Sequence, residues 1–286
     1  MRALTSINGE TRLVGIIGDP VRHSLSPAMH NAAFASLGIN MAYVPLRVSA
    51  ERLAAAVATL PALGFRGANV TVPHKTAVVS LLDELRDDAL LIQAVNTIVI
   101  EGDRLIGHNT DVEGFRRALH EADAQPLEGA GVLLVGAGGA ARAAALAVAR
   151  QGLAELVVAN RGWAAADRLV SLLRDLVPGL PCRALALAEL GAADVRRARL
   201  IVNATTLGME GESKVPGVLV DNVGVDQVVY DMVYGARPTG LVSAARARGA
   251  RTVDGLAMLI WQAAVAFELW TGAEAPVDVM KRAVGR

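Results

Sequence analysis

The stretch Gly131-Val-Leu-Leu-Val-Gly-Ala-Gly-Gly-Ala-Ala-Arg142 decides the fold of this chain. A short apolar run stops at a glycine turn and opens into an alanine-rich segment, which predicts a strand, a turn and a helix. Gly136, Gly138 and Ala141 have the G-x-G-x-x-A spacing of the dinucleotide fingerprint. Gly136 allows the tight turn, Gly138 lets a pyrophosphate approach the backbone, and the helix N-terminus offers free N–H groups to that anion. The stretch therefore predicts a dinucleotide site, with a plain βα turn as the alternative.

The end of the next predicted strand bears on which dinucleotide is bound. Glu155-Leu-Val-Val-Ala-Asn160 ends roughly 20 residues past the glycines, where NAD enzymes place an acid for the ribose hydroxyls. Here Asn160 is followed by Arg161, whose guanidinium can bind a 2′-phosphate through charge-assisted hydrogen bonds. NADP is favoured on this ground. The alternative is that Arg161 is only a solvated loop charge.

Length and composition indicate a two-domain protein of the cytoplasm. The chain has 286 residues, which suits two domains better than one core. Lys plus Arg and Asp plus Glu both number 28, so neither nucleic acid nor an acidic membrane is expected as a partner. The single cysteine, Cys182, cannot form an internal disulfide, and no signal peptide is apparent at the N-terminus. The apolar run at 129–149 is broken by Arg142 and glycines, so it predicts a buried strand and helix rather than a membrane span.

Residues 1–111 alternate between strand and helix patterns before the glycine motif begins, and they predict an α/β domain. The polar segments in its loops make it the candidate substrate-binding catalytic domain. Strands are predicted at 13–17, 41–46 and 68–72, with a hairpin at 96–100 and 104–107. A helix is predicted at 27–37 with Ser26 as its N-cap, a second after Ser49 to about residue 60, and a third after Lys75.

The remaining sequence predicts a Rossmann domain at 112–252 and a helical segment at 253–286. A helix to about residue 122 and a linker at 125–129 precede strands near 132–135, 155–159, 183–186, 199–202 and 228–232. Helical spacing then runs over 255–270, and Pro276 opens a last short helix. The fold class expected is α/β: an N-terminal α/β substrate domain, a doubly wound Rossmann-type NAD(P)-binding domain, and C-terminal helices packing back on the first domain. A ligand cleft between the two domains is expected.

Polar residues at strand ends and loops of the first domain are candidates for chemistry. Ser24 and Ser26 precede a helix, where they could bind a small anion or act only as caps. Lys75 follows a strand and a proline turn, and lysine in a cleft beside a carboxylate can exchange a proton. Asn69 and Thr71 share a face by the period-two rule. Asp111 could serve in the site or as the N-cap of the next helix.

Five histidines and the acids do not cluster at ligand spacing, so no metal site is predicted. His23 and His30 are therefore interpreted as structural residues, and Cys182 is assigned no chemistry.

Together these segments resemble the shikimate dehydrogenase family, over about residues 14–272. The matching stretches occur in one order with matching spacing: G-D-P-V-R-H-S-L-S-P-A-M-H-N, G-A-N-V-T-V-P-H-K, A-V-N-T, G-H-N-T-D, G-A-G-G-A-A-R-A, N-A-T-T-L-G-M, D-M-V-Y and G-L-A-M-L-I-W-Q-A-A. The resemblance implies reversible, NADP-linked reduction of 3-dehydroshikimate to shikimate, in chorismate and aromatic amino-acid biosynthesis.

The resemblance also implies roles for individual residues. Lys75 and Asp111 match the catalytic pair. The residues matching substrate contacts are Ser24, Ser26, Asn69, Thr71, Asn96, Tyr234 and Gln262. Those matching cofactor contacts are Gly136, Ala137, Gly138, Gly139, Ala140, Asn160, Arg161, Thr205, Met232 and Gly255.

For the oligomeric state, a homodimer is one candidate.

Alternatives stay open on the cofactor and on the reaction. The family usually reads N-R-T-x-x-R after the second Rossmann strand, whereas Gly162 and Ala165 lack the hydroxyl and the second guanidinium, so NAD use is an alternative. Thr205-Thr206 and G-H-N-T-D-V are similar to quinate/shikimate and shikimate-dehydrogenase-like branches. A non-catalytic ring-acid-binding regulator is a further alternative, which Lys75, Asp111 and the intact glycine loop disfavour. A folate-linked methylene dehydrogenase is another, which the serine pair and the Tyr234/Gln262 combination disfavour.

Overall fold

A computed structural model describes residues 7–124, 126–208, 215–235 and 237–286. Residue 125 of the predicted linker and Met209 of the N-A-T-T-L-G-M stretch lie outside these ranges. The chain forms two compact units. One comprises Met1–Gly114 together with Leu259–Arg286, and the other comprises Phe115–Met258. The last helices of the chain therefore belong to the same unit as its first residues.

The first unit contains a six-stranded mixed sheet in the order β2-β1-β3-β5-β6-β4. Its strands are β1 (Arg12–Gly18), β2 (Met41–Arg47), β3 (Phe65–Val70), β4 (Glu84–Leu85), β5 (Thr97–Glu101) and β6 (Arg104–His108). β1 pairs in parallel with β2 and β3, while β5 is antiparallel to β3 and β6. Because of these directions, the ends of β1, β3 and β6 and the start of β5 lie at one edge of the sheet.

Helices pack on this sheet and close its core. They are α1 (Ser26–Leu37), α2 (Leu53–Thr59), α3 (Asp87–Ile92), the start of α4 (Asp111–Glu121), most of α10 (Gly255–Thr271), and α11 (Val277–Ala283). α11 packs against α1, and the Trp270 indole N–H donates to the Ile98 carbonyl at 2.9 Å. The C-terminal helices thus complete the first unit, as the sequence predicts.

The second unit contains a six-stranded, all-parallel sheet in the order β12-β11-β10-β7-β8-β9. Its strands are β7 (Gly131–Val135), β8 (Glu155–Asn160), β9 (Cys182–Ala186), β10 (Leu200–Asn203), β11 (Val228–Asp231) and β12 (Arg251–Asp254). The intervening helices are α5 (Gly139–Ala149), α6 (Trp163–Leu176), α7 (Ala192–Arg197), α8 (Gly217–Asn222) and α9 (Gly240–Ala247). The strand order reverses between β7 and β10, which is the doubly wound arrangement expected of a dinucleotide-binding fold. The predicted fold class is confirmed.

Several local predictions are corrected. Ser26 is the first residue of α1 and not its N-cap, because the chain already turns helically at Leu25. Ser49 precedes a 3₁₀ turn and makes no capping bond. β3 spans Phe65–Val70, so Thr71 lies just past its end.

The segment after Lys75 differs most from the prediction. It forms a 3₁₀ turn at Ala77–Leu81, a short strand β4 and helix α3 instead of one α-helix. β12 is a further element that the sequence pattern does not predict. Such elements are two to six residues long, and so short a piece carries little periodic signal of its own.

No helix in the part of the chain that the structure describes has the length and apolar character needed to cross a membrane.

Candidate active site

Backbone hydrogen bonds draw four loops of the first unit together at one edge of its sheet. Thr71 N–H donates to the Ile17 carbonyl at 2.8 Å, which ties the loop after β3 to the end of β1. Val95 N–H donates to the Lys75 carbonyl at 2.8 Å, and Asn96 N–H donates to the His108 carbonyl at 3.2 Å. The loops that carry the polar candidates are therefore anchored to one another by the main chain.

Lys75 and Asp111 form an ion pair in this edge. The Lys75 Nζ lies 2.5 Å from Asp111 Oδ2. The side chains are 15% and 5% exposed, so the charges attract each other with little screening by water. An ammonium held this way can stabilise negative charge on a nearby oxygen and can exchange a proton with it.

Asn96 holds the other carboxylate oxygen of Asp111. Its Oδ1 accepts the Thr110 N–H at 2.7 Å, so its Nδ2 faces Asp111 Oδ1 at 2.9 Å. The same Nδ2 lies 3.3 Å from Gln262 Oε1 on α10. Lys75 and Asn96 together leave the Asp111 carboxylate in one orientation.

Asn109 makes the capping bonds at the start of α4. Its Oδ1 accepts the N–H groups of Asp111 and Val112 at 3.1 and 3.4 Å, and its Nδ2 donates to the Ala94 carbonyl at 2.8 Å. The alternative role of Asp111 as the N-cap is therefore wrong. Because Asn109 makes these bonds, the Asp111 carboxylate is available to Lys75 and Asn96.

Hydroxyl groups border the same edge. Ser24 Oγ accepts the Ser26 N–H at 3.3 Å, and Ser26 is almost fully buried at the first position of α1. Within the described chain, the hydroxyls of Ser26 and Thr71 donate to no other residue. α1 has 12 residues and no side-chain cap, so its first N–H groups can meet an anion together with these hydroxyls.

The second unit contains the glycine turn that the sequence predicts. Gly136 has φ +117°, a conformation that favours glycine, and an added Cβ would lie 3.0 Å from the Ala204 carbonyl oxygen. Gly138 is extended, exposed and has open space where a side chain would be, directly before the first residue of α5, Gly139. Ala137 and Ala140 flank this turn and are half-buried. The helix start can therefore accept a pyrophosphate without obstruction.

Arg161 lies at the carboxyl end of β8 and is exposed. It lines a cavity of about 530 Å³ whose other walls are mainly apolar: Leu187, Ala188, Leu190, Pro216 and Val218. Asn160 Nδ2 donates to the Gly162 carbonyl at 3.0 Å, which shapes the turn that carries Arg161. A flat apolar ring system and an anion can be held side by side in such a cavity.

A buried carboxylate organises the remaining cofactor candidates. Asn203 Oδ1 accepts the Thr205 hydroxyl at 2.7 Å, and Asn203 Nδ2 donates to Asp231 Oδ1 at 2.9 Å. Asp231 is fully buried, and burial raises the pKa of its carboxyl although Thr239, Val233 and Asn203 donate to it.

Met232 and Gly255 meet at close range in the same unit. Met232 N–H donates to the Asn203 carbonyl at 2.9 Å. A Cβ on Gly255 would overlap the Met232 carbonyl, so only glycine allows α10 to begin there.

Tyr234 lies beyond β11 in the second unit, and burial raises the pKa of its phenol. The structure thus places Ser24, Ser26, Asn69, Thr71, Lys75, Asn96, Asp111 and Gln262 in the first unit, and Tyr234 with all ten cofactor candidates in the second. Among the described ranges, no group of three or more potential ligands could hold a metal ion.

Sequence reasoning missed the residues that support the site rather than form it. Thr97, Thr110 and Asn109 all belong to the quoted A-V-N-T and G-H-N-T-D stretches, and each makes buried hydrogen bonds to Asn96 or Asp111. Their position in the chain directly beside Asn96 and Asp111 is the sequence signal that could have identified them. Tyr43 has no such signal, because it lies in an ordinary apolar strand.

Known proteins have similar sequences and the same architecture. Residues 16–98 match the family described as "Shikimate dehydrogenase substrate binding domain", and residues 255–284 match "Shikimate 5'-dehydrogenase C-terminal domain". The shikimate dehydrogenase (NADP(+)) of Methanopyrus kandleri is 47% identical over 286 residues, with 99% of this chain and 98% of that protein covered. The chain belongs to the shikimate dehydrogenase family.

Solved structures of that family have the same fold. A crystal structure of a shikimate dehydrogenase in complex with NADP+ has a TM-score of 0.89 and 39% identity, covering 98% of this chain and 96% of that one. The Thermus thermophilus shikimate 5-dehydrogenase in complex with NADP(H) and shikimate has a TM-score of 0.82 and 37% identity, covering 96% and 98%. The resemblance stated from the sequence motifs is confirmed.

Proposed function

We propose that this protein is an NADP-dependent shikimate dehydrogenase, which reversibly reduces 3-dehydroshikimate to shikimate in chorismate and aromatic amino-acid biosynthesis. The observation that carries the proposal is the buried Lys75–Asp111 pair, with Nζ 2.5 Å from Oδ2, in a chain that is 47% identical to a shikimate dehydrogenase (NADP(+)) over 99% of its length. A chain that only bound a ring acid would have no need of this pair together with an open glycine turn.

Lys75 is the proton donor and acceptor of the reaction. In the reducing direction the substrate carbonyl carbon gains a hydride and its oxygen gains negative charge. The Lys75 ammonium stabilises that charge and transfers its proton to the oxygen, which leaves a hydroxyl. In the oxidising direction the lysine takes the hydroxyl proton back.

Asp111 keeps the Lys75 ammonium in position, and its carboxylate can still accept a hydrogen bond from a hydroxyl of the substrate ring. Asn96 holds its second oxygen at 2.9 Å, so a substrate hydroxyl meets a carboxylate of defined direction. Ser24, Ser26 and Thr71 bind the remaining polar groups, with the serine hydroxyls and the start of α1 facing the ring carboxylate. Tyr234 of the second unit assists them, and Gln262 reaches the site through Asn96.

The second unit fits a bound NADP, which when present supplies or accepts the hydride. Open space at Gly138 and the uncapped start of α5 accommodate its pyrophosphate, and Arg161 beside an apolar cavity accommodates a 2′-phosphate and an adenine ring. Asn160, Thr205, Met232 and Gly255 shape the loops around it.

We include a cytoplasmic location and a homodimer in the proposal. The single cysteine, Cys182, is buried and unpaired, which suits a reducing compartment. Closed homodimers are the commonest assemblies of soluble enzymes. Sedimentation velocity on the purified chain tests the dimer, and a species of monomer mass at working concentration would rule it out. Fractionation of expressing cells tests the location, and recovery of the protein outside the cytoplasmic fraction would contradict it.

Steady-state kinetics test the reaction itself. Purified protein is assayed in the four combinations of shikimate or quinate with NADP+ or NAD+. We expect the largest kcat/KM for shikimate with NADP+. A larger value for quinate with NAD+ would replace the proposed substrate and cofactor, and absence of turnover with all four would leave a ring-acid-binding protein.

Replacement of one lysine tests the proton donor. The sequence has three lysines, Lys75, Lys214 and Lys281, so Lys281→Met is a matched control for Lys75→Met. Lys281 lies on α11, with its Nζ 5.4 Å from the centroid of the Trp261 ring. We expect Lys75→Met to lower kcat by about a hundredfold or more, while calorimetry still detects shikimate binding. Turnover as high as that of the Lys281 control would remove Lys75 from the mechanism.

A further inference from the structure

The polar network around Asp111 extends inward to a tyrosine on β2. Tyr43 is 2% exposed, and its hydroxyl donates to Asn69 Oδ1 at 2.7 Å. Asn69 is in turn the cross-strand partner of Thr97, to whose Oγ1 its Nδ2 donates at 3.0 Å. The second Nδ2 proton goes to the Asn96 carbonyl at 3.1 Å. Both amide protons of Asn69 are therefore used within the protein.

The directions of the hydrogen bonds that lead from Asp111 through Asn96, Thr97 and Asn69 to Tyr43 follow from the carboxylate at their end. Asp111 can only accept, so Asn96 turns its amino group toward it and its oxygen toward Thr97, whose hydroxyl donates at 3.1 Å. Thr97 must then accept from Asn69, which turns its own oxygen toward Tyr43. Tyr43 is the donor that completes this sequence, and a residue without a hydroxyl there would leave Asn69 Oδ1 unsatisfied in the interior.

Tyr43 is itself held rigidly from both sides. Its backbone exchanges two hydrogen bonds with the Asn31 side chain, at 2.8 and 3.0 Å. The His30 ring stacks on it, with centroids 4.5 Å apart and planes 2° from parallel, and Trp270 packs at 6.1 Å. The hydroxyl position is thus determined by packing on α1 and α10, and from there it reaches Asn69 on β3.

We propose that Tyr43 is a positioning residue for substrate recognition, which directs the free acceptor lone pair of Asn69 Oδ1 toward a donating ring hydroxyl. The inference rests on the proposed function. With its two Nδ2 protons committed, Asn69 can contact a substrate only through that oxygen, so the site selects a hydroxyl and not an ether or a keto oxygen at that ring position. Tyr43 contacts no substrate and acts through Asn69.

The test is a double-mutant cycle of Tyr43→Phe and Asn69→Ala, with shikimate and NADP+ as substrates. Tyr43→Phe retains the ring and its stacking and removes only the donor. We expect KM for shikimate to rise about five- to thirtyfold, because Asn69 Oδ1 is no longer held in the direction of the ring hydroxyl, with KM for NADP+ unchanged. In the Asn69→Ala background the same change should have no further effect on KM for shikimate.

Tyr230→Phe is the matched control, because Tyr230 is also fully buried and packs against an aromatic ring, that of Phe115, but lies in the second unit. We expect it to leave KM for shikimate unchanged. Three results would overturn the proposal: an unchanged KM for shikimate in Tyr43→Phe, an equal rise in both KM values, or an undiminished effect in the Asn69→Ala background.

A readout independent of activity separates this proposal from the proposed function. In protein labelled with ¹⁵N-asparagine, the Asn69 side-chain amide is assigned by its absence from Asn69→Ala. Its protons should exchange with solvent faster in Tyr43→Phe than in the wild type and in Tyr230→Phe. If the wild type fails to oxidise shikimate, the proposed function is wrong, and this exchange rate still supports or overturns the Tyr43–Asn69 contact.

Discussion

His30 shows how burial determines the chemistry of one residue. It is fully buried among aromatic rings, and within the described chain neither ring nitrogen has a hydrogen-bond partner. Burial lowers its pKa from 6.5 to about 3, since nothing nearby compensates for the loss of hydration by the imidazolium. The ring therefore stays neutral and acts as a packing surface for Tyr43.

This lowered pKa makes the protein sensitive to acid. Between pH 6.5 and 3 the unfolded chain binds a proton at His30 that the folded chain does not bind, so stability falls as the pH falls through that window. At pH 5 the contribution is about 2 kcal/mol relative to pH 8. We expect the loss of unfolding free energy between pH 8 and pH 5 to be smaller by about that amount in His30→Phe.

Urea denaturation at the two pH values measures the effect. At pH 8 His30 is neutral in the folded chain and largely neutral in the unfolded chain, so the difference between the two proteins there reports packing alone. If the wild type and His30→Phe lose the same amount of unfolding free energy between pH 8 and pH 5, His30 does not titrate on unfolding.

At the scale of elements, the site depends on how closely α4 approaches α10. A Cβ on Gly114 would lie 2.8 Å from the backbone nitrogen of Gln262 and 3.0 Å from its Cα. These are backbone atoms, so no rotamer change can relieve the contact. Glycine at 114 lets the helix that begins with Asp111 lie against the helix that carries Gln262, and the Asn96 amide joins the two side chains.

We expect Gly114→Ala to force the two helices apart by a few tenths of an ångström. The strain should cost about 1–3 kcal/mol of stability and lower kcat/KM for shikimate about tenfold, because Asp111 and Gln262 lose their common partner. Thermal unfolding and steady-state kinetics measure these effects.

Gly240→Ala is the control for that substitution, because Gly240 begins α9 with open space where its Cβ would lie. It should behave as the wild type in both measurements. If Gly114→Ala also does so, the helix contact is not required for the site.

At the scale of the whole molecule, the two units divide the proposed ligands. Every proposed substrate contact except Tyr234 lies in the first unit, and every proposed cofactor contact lies in the second. We expect shikimate alone to slow hydrogen exchange mainly at 14–114 and 259–286, and NADP+ alone to slow it mainly within 115–258.

Mass spectrometry of peptides from the exchanged protein measures both patterns, with quinate as the control for shikimate. Protection of the peptide that carries Gly136–Ala140 by shikimate alone would contradict this assignment, as would protection of the Asn69–Lys75 peptide by NADP+ alone.

The sequence by itself determined the class of fold, the glycine turn and the loops that carry Lys75, Asn96 and Asp111. These depend on neighbours in the chain: an apolar run, a glycine with positive φ, and a helix start are all encoded within a dozen residues. Short elements such as β4 and β12 carried too little local signal, because tertiary pairing makes them strands.

Only the tertiary structure decided which side chains support those loops. Asn96 donates to Gln262, which lies 166 residues away in the chain. Tyr43 on β2 donates to Asn69 on β3, across the intervening strand β1. Each hydrogen bond in this series constrains the direction of the next one. The series ends at the Asp111 carboxylate, which can only accept. No local pattern encodes such a condition, because it concerns donors and acceptors that only folding brings together.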